Sequence, residues 1–170
     1  MGKDVDVLIN NAGFSVFTLF EERTETELDS VMDVNLKGTI LCAKNFSKKM
    51  KEKKNGRIIN IGSIYGIVPP DKKIYGDSGR NNSEIYGATK AGVIQLTRYL
   101  AAYLAEYNIK VNAVSPGGIF NNQDKFFIDN FPHQFGMLRM VNNNFFLFDF
   151  TNFRMTSRTS TMYRLCPFKR

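Results

Sequence analysis

Arg57-Ile58-Ile59-Asn60-Ile61-Gly62-Ser63 decides how this chain folds. Apolar, β-branched residues at this density read as a buried strand, and Gly62-Ser63 closes it with a turn. Working outward, two further stretches have the same form. Val5-Asp6-Val7-Leu8-Ile9 runs into Asn10-Asn11-Ala12-Gly13, and Ile109-Lys110-Val111-Asn112-Ala113-Val114 runs into Ser115-Pro116-Gly117-Gly118. Between the first two strands, Thr24-Glu25-Thr26-Glu27 has the form of a capping box, a hydroxyl followed three residues later by Glu. Leu28, Met32, Leu36, Ile40, Ala43, Phe46 and Met50 then recur at helical spacing. A helix is predicted from about 24 to 53, its end favoured by Lys48 to Lys54 and stopped by Asn55-Gly56. Residues 66–84 read as a loop, and a second helix is predicted over about 86–108, with Val93, Leu96, Leu100 and Leu104 among its apolar positions.

Strand, helix, strand, helix, strand predicts a parallel α/β sheet. Right-handed crossovers would place both helices on one face of it and leave the other face in need of cover. The 170 residues suit one domain, and 43% hydrophobic with 23% charged residues is a globular composition. No apolar run approaches the ~20 residues of a membrane span, so no membrane association is expected. Cys42 and Cys166 suggest no disulfide framework, which favours a reduced, cytoplasmic setting. His133 is the single histidine and has no partner at ligand spacing, so no metal site is expected. The net charge of +7 is concentrated in residues 137–170, which hold six basic side chains and one acid. A division into a folded part, 1–136, and a basic, Phe-rich tail of unassigned structure, 137–170, is therefore expected. The tail's charges lie scattered among Thr and Ser, without a recognisable module, and no nucleic-acid partner is expected.

The chemistry is concentrated at the strand ends, where ligands bind in open parallel sheets. Ser63 lies at the end of the central strand. Asn10-Asn11-Ala12-Gly13 and Pro116-Gly117-Gly118-Ile119 lie at the equivalent ends of the other two. Tyr86 and Lys90 stand one helical turn apart on a single face. A nearby ammonium favours phenolate, which would make Tyr86 a usable proton donor and acceptor. Taken alone, such a pair is common on solvated helices; its company gives it weight. Asn35 is a polar residue within an otherwise apolar helical stripe, a position equally suited to a satisfied core amide or a helix kink.

Together these residues resemble the short-chain dehydrogenase/reductase family. Asn-Asn-Ala-Gly stands at 10–13, Val-Asn-Leu-x-Gly at 34–38 and the strand-ending serine at Ser63. Tyr-x-x-x-Lys stands at 86–90 and Val-Asn-x-Val-x-Pro-Gly at 111–117. The resemblance covers about residues 4–131 and implies a partial Rossmann-like, doubly wound parallel sheet that lacks the family's N-terminal strands and final strand. It implies an oxidoreductase using NAD or NADP to interconvert an alcohol and a ketone. Tyr86 would be the acid/base, Ser63 would bind the substrate oxygen, and Asn35 would hold a relay water. Lys90 would bind the nicotinamide ribose and depress the Tyr86 pKa. Asn11, Ala12, Gly13, Pro116, Gly117 and Ile119 would line the cofactor. Intact relatives self-associate through the two long helices, so a homo-oligomer is expected.

The 23-residue interval from Ser63 to Tyr86 is longer than is usual in the family. With Tyr65-Gly66, Pro69-Pro70-Asp71 and Ile74-Tyr75, it resembles members linked to surface-sugar and flagellin modification. A sugar-type substrate is the expectation, with a ketoacyl substrate open. The family's Thr-Gly-x-x-x-Gly-x-Gly phosphate-binding turn is not among these residues, so the sequence looks like the middle of an enzyme. The alternative function is accordingly a non-catalytic fragment acting as an interaction protein.

Overall fold

The computed structural model describes residues 5–78 and 82–119, together with 125, 126, 129, 137 and 138. Strand β1 is Val7–Asn10, helix α1 Glu25–Met32, helix α2 Thr39–Lys53 and strand β2 Gly56–Ile61. Helix α3 is Glu84–Tyr103, and strand β3 is Ile109–Val114. The three strands form one parallel sheet in the order β1-β2-β3. Leu8 pairs with Ile58, and Ile58 with Val111, so the register brings the three strand ends level.

Side chains alternate across the sheet. Ile58, Ile109 and Val111 point to the helical face and form a core with Ala43 and Met50 of α2 and with Leu104 beyond α3. Both long helices thus cover the same face, as right-handed crossovers require. On the opposite face Val7 and Ile9 remain 46% and 58% exposed, and Arg57 and Lys110 are exposed as well.

The helix expected over 24–53 is interrupted. Its start follows the sequence: Thr24 accepts from the Glu27 backbone N–H at 3.2 Å, and Glu27 accepts in return from that of Thr24 at 3.0 Å. Between α1 and α2, however, Asp33–Gly38 winds as a π-helical segment. The buried stripe also differs from the apolar one. Met32, Ile40 and Phe46 are about 40% exposed, while Val31, Asn35, Thr39, Ala43, Ser47 and Met50 are buried. Small and polar side chains can line this seam because each polar one is hydrogen-bonded. Thr39 donates to the Asn35 carbonyl at 2.8 Å and Ser47 to that of Lys44 at 3.3 Å.

The terminator is Lys54, in the left-handed region at φ 49°, rather than Asn55-Gly56. Gly56 answers a packing need instead, since a Cβ there would lie 2.5 Å from the Met50 sulfur. Likewise α3 ends at Tyr103, and a 3₁₀ turn over Ala105–Tyr107 leads to Asn108 at φ 56°. A pairing absent from the sequence reading joins Gly118–Ile119 (β4) in parallel to Met137–Leu138 (β5). The tail expected to be unassigned lies, from 139 onward, outside the described residues. Among the described residues, no helix is long and apolar enough to cross a membrane.

Candidate active site

The strand ends are tied together before any reactive side chain is placed. Gly62 donates its N–H to the Val114 carbonyl at 2.7 Å, and Ile64 donates to that of Pro116 at 2.9 Å. Beneath them a buried amide rail crosses the sheet: Asn10 Nδ2 donates to Asn60 Oδ1 at 2.8 Å, and Asn60 Nδ2 to Thr97 Oγ1 at 2.9 Å. Asn60 and Thr97 are almost fully buried, so losing either partner would leave an unpaired group, at a cost of about 1–3 kcal/mol.

Ser63 stands where β2 gives way to a 3₁₀ turn over Ile64–Gly66, and its Oγ accepts from the Tyr65 N–H at 3.2 Å. Tyr86 enters from the first turn of α3, whose N-cap Ser83 accepts the Tyr86 backbone N–H at 3.3 Å. The Tyr86 phenol comes near enough to Ser63 for the serine side chain to favour its ionised form. One turn on, Lys90 is buried; its Nζ lies 5.6 Å from the centre of the Tyr86 ring and donates to the Ile61 carbonyl at 2.7 Å.

Asn35 projects from the π-helical segment toward the same place. It accepts the Phe14 N–H at 3.0 Å, and its Nδ2 donates to the Phe14 carbonyl at 2.9 Å and to Thr89 Oγ1 at 3.2 Å. This holds the turn after β1 against α3. A Cβ on Gly13 would stand 3.2 Å from Asn35 Oδ1 and 3.3 Å from Lys90 Nζ, so Gly13 keeps a backbone approach open beside the ammonium. Asn11 and Ala12 precede it, exposed at the end of β1. Pro116 and Gly117 hold the end of β3, half-buried, and Ile119 lies in β4, 36% exposed. The structure therefore gathers Asn35, Ser63, Tyr86, Lys90 and Gly13 into one cluster. Asn11, Ala12, Pro116, Gly117 and Ile119 lie at the rims of the neighbouring strand ends.

Burial raises the Tyr86 phenol above its ordinary value, and the neighbouring Ser63 only partly opposes that rise. The Lys90 ammonium, expected to depress the phenol, donates to the Ile61 carbonyl. Burial lowers Lys90 itself.

Several positioning residues escape a sequence reading. Ser15 donates to Asn82 Oδ1 at 2.9 Å and lies 3.3 Å from Ser83 Oγ. The Arg23 guanidinium, almost wholly buried, pairs with Glu84 at 2.8 Å and donates to the Thr18 carbonyl at 2.7 Å. Both links fasten the loop after β1 to the start of α3, which carries Tyr86. The polar Asn60 within an apolar strand is the one such residue with a visible signal. Among the described residues no group of three or more His, Cys, Asp or Glu side chains could hold a metal ion.

The chain is similar to several known proteins. The short chain dehydrogenase family matches residues 1–126. A 3-oxoacyl-[acyl-carrier-protein] reductase of Synechocystis sp. is 44% identical over 115 residues, covering 68% of this chain and 42% of that protein. A short chain dehydrogenase from Leptospira borgpetersenii, solved with bound NAD+, superposes with a TM-score of 0.70 at 50% identity. That match covers 75% of this chain and 49% of the other. A gluconate 5-dehydrogenase from Burkholderia cenocepacia, solved with NADP and tartrate, gives a TM-score of 0.61 at 28% identity, covering 74% and 45% of the two chains. The chain thus spans about half the length of the relatives it matches. With three parallel strands, the Ser63–Tyr86–Lys90 cluster at their ends and this match over residues 1–126, the chain belongs to the short-chain dehydrogenase/reductase family.

Proposed function

We infer that this chain carries the proton-transfer centre of an NAD(P)-dependent oxidoreductase that interconverts an alcohol and a ketone. The observation that supports it is the meeting of the Tyr86 phenol and Ser63 with the buried Lys90 ammonium, whose Nζ lies 5.6 Å from the centre of the Tyr86 ring. The residues fit a nicotinamide cofactor: Gly13 leaves open a backbone approach that a Cβ would fill, and Lys90 brings a buried ammonium to it. Asn11, Ala12, Gly13, Pro116, Gly117 and Ile119 line the approach, with the Ile119 backbone toward the carboxamide. When bound, the cofactor supplies or accepts the hydride.

In reduction, Ser63 donates a hydrogen bond to the substrate carbonyl oxygen and Tyr86 gives it a proton as the carbon–oxygen π pair moves onto oxygen. The raised Tyr86 pKa suits this direction, since the phenol stays protonated and ready to donate at neutral pH. Lys90 holds a ribose hydroxyl and offsets negative charge left on the phenolate. Asn35 keeps the Gly13–Phe14 turn against Lys90 and holds a relay water that returns the proton.

The ketone is of a sugar-like or a ketoacyl kind. The Synechocystis relative is named for the second and the Burkholderia structure for a hydroxylated acid. The intact protein works as a homo-oligomer in the cytoplasm. A second reading, that the chain acts as an interaction partner, draws on the uncovered sheet face around Val7 and Ile9. Oxidation of NADH and NADPH with a ketone panel separates the two. Turnover that Tyr86→Phe abolishes supports the oxidoreductase, and turnover that survives this change removes it.

A further inference from the structure

The first turn of α3 carries Tyr86 but holds itself weakly. The leading N–H groups of a helix find no partner within the helix ladder. Here the Tyr86 N–H reaches Ser83 Oγ and the Gly87 N–H reaches the Ser83 carbonyl, both at 3.3 Å, long against the common ~2.9–3.0 Å. A shorter bond at this helix start comes from outside it. Arg23 Nε donates to Glu84 Oε1 at 2.8 Å, and its Nη2 donates to Glu84 Oε2 at 3.2 Å. Glu84 opens the helix two residues before Tyr86.

The same guanidinium is tied on its other side to the loop after β1. Its Nη1 donates to Thr18 Oγ1 at 2.8 Å and its Nη2 to the Thr18 carbonyl at 2.7 Å. Thr18 donates in turn to Glu27 Oε1 at 2.9 Å, and Glu27 closes the capping box of α1. Arg23 thus joins the start of α1 to the start of α3. Its side chain is 1% exposed, against 40% for Glu84. A charge so buried adds little net stability even when paired, because desolvation offsets the attraction. What it contributes instead is geometry, since only a planar, forked cation serves Glu84 and Thr18 at once.

We propose that Arg23 is a positioning residue for proton transfer: acting through Glu84, it sets the start of α3 so that the Tyr86 phenol meets Ser63. The assignment rests on the oxidoreductase reading given above. The groups that hold the cofactor in that reading lie outside this path. Gly13 adjoins Phe14, which Asn35 holds, and Lys90 sits one turn further along α3. Losing the tie therefore slows the proton step and spares cofactor binding.

The test compares wild type with Arg23→Lys, Arg23→Met, Glu84→Gln and the combination of Arg23→Met with Glu84→Gln. Arg23→Lys keeps the charge without the fork, and Arg23→Met fills the space without a buried charge, which favours a folded variant. Gly56→Ala, a packing change at the far end of β2, controls for lost stability alone. For each protein, kcat is measured with the best ketone of the panel, cofactor affinity by calorimetric titration and the folded fraction by melting curves. The expected result is a kcat per folded molecule about tenfold lower in each Arg23 and Glu84 variant, with cofactor affinity within about twofold of wild type. The combined variant should lose no more than Arg23→Met, because the two side chains act as one device. A loss accounted for by the folded fraction, or matched by Gly56→Ala, would overturn the positioning role. Amide hydrogen exchange reads the same tie without turnover. Exchange at Tyr86 and Gly87 is expected to quicken about tenfold in the variants while that of β2 and β3 holds. Quickening spread equally through β2 and β3 would count as general destabilisation and overturn the role. Local quickening in a chain that reduces no ketone supports the positioning of Tyr86 and removes the oxidoreductase reading alone. Turnover in wild type, with kcat and first-turn exchange unchanged in the variants, removes the positioning role alone.

Discussion

Asn35 and Phe14 exchange two hydrogen bonds: the Phe14 N–H donates to Oδ1 at 3.0 Å, and Nδ2 donates back to the Phe14 carbonyl at 2.9 Å. A side chain thus completes what a strand partner would otherwise supply to the turn after β1. The π-helical winding of Asp33–Gly38 accompanies this reach, as such segments often do at functional sites.

Asn35→Ala removes this clamp and leaves the part-buried N–H and carbonyl of Phe14 without their partner, while Thr89 keeps its bond to the Tyr86 carbonyl. A loss of about 1–3 kcal/mol of stability is expected. Urea unfolding checks it, and a loss within experimental error would show that the turn holds itself.

Gly56 and Met50 are expected to be coupled. Gly56→Ala would drive a Cβ into a fully buried methionine, and overpacking of this kind costs about 1–3 kcal/mol. Combining it with Met50→Ala should recover part of that cost relative to Met50→Ala alone. Additive losses in the double-mutant cycle would place the strain elsewhere.

The Thr24 capping box sits at the surface, where its contribution is separable from packing. Thr24→Ala should lower stability by about 1 kcal/mol, and Thr24→Ser by much less. Equal effects from the two changes would mean that the hydroxyl cap is not the cause.

High pH should destabilise the chain through its buried phenols. The folded-state pKa values of Tyr65 and Tyr86 are raised, so their contribution is complete below the unfolded value near 10 and is lost as pH rises through the folded values. Lys90, lowered by burial, acts in the opposite sense, its charged form being disfavoured in the fold. Melting temperatures between about pH 9 and 11 should fall more steeply in wild type than in Tyr65→Phe. Parallel curves would contradict the burial of that phenol.

The sheet is legible in the sequence because strands 5–9, 57–61 and 109–114 are short apolar runs that end in glycine turns. The observed limits of the first two differ by one or two residues, and those of the third coincide. The site is legible because Ser63, Tyr86 and Lys90 sit on those elements at fixed offsets. The buried face of the first helix is less so. A periodic reading favours Met32, Ile40 and Phe46, yet the seam is lined by Asn35, Thr39 and Ser47. Thr39 and Ser47 bond carbonyls of their own helical stretch, while Asn35 is satisfied only once α3 and the turn after β1 are in place. Hydropathy cannot anticipate such partners. Nor can spacing reveal that Lys90 turns to the Ile61 carbonyl, or that burial dominates the Tyr86 phenol.

The central claim is that the Tyr86 hydroxyl transfers the proton while Lys90 and Gly13 hold the cofactor. Its most direct measurement pairs two readouts on wild type and Tyr86→Phe: ketone-dependent NAD(P)H oxidation, and calorimetric titration with the reduced cofactor. The account predicts that Tyr86→Phe loses turnover by a factor of about 10²–10⁴ while cofactor affinity stays within a few-fold of wild type. Turnover that persists in the variant, or cofactor affinity that falls together with it, would contradict the assignment.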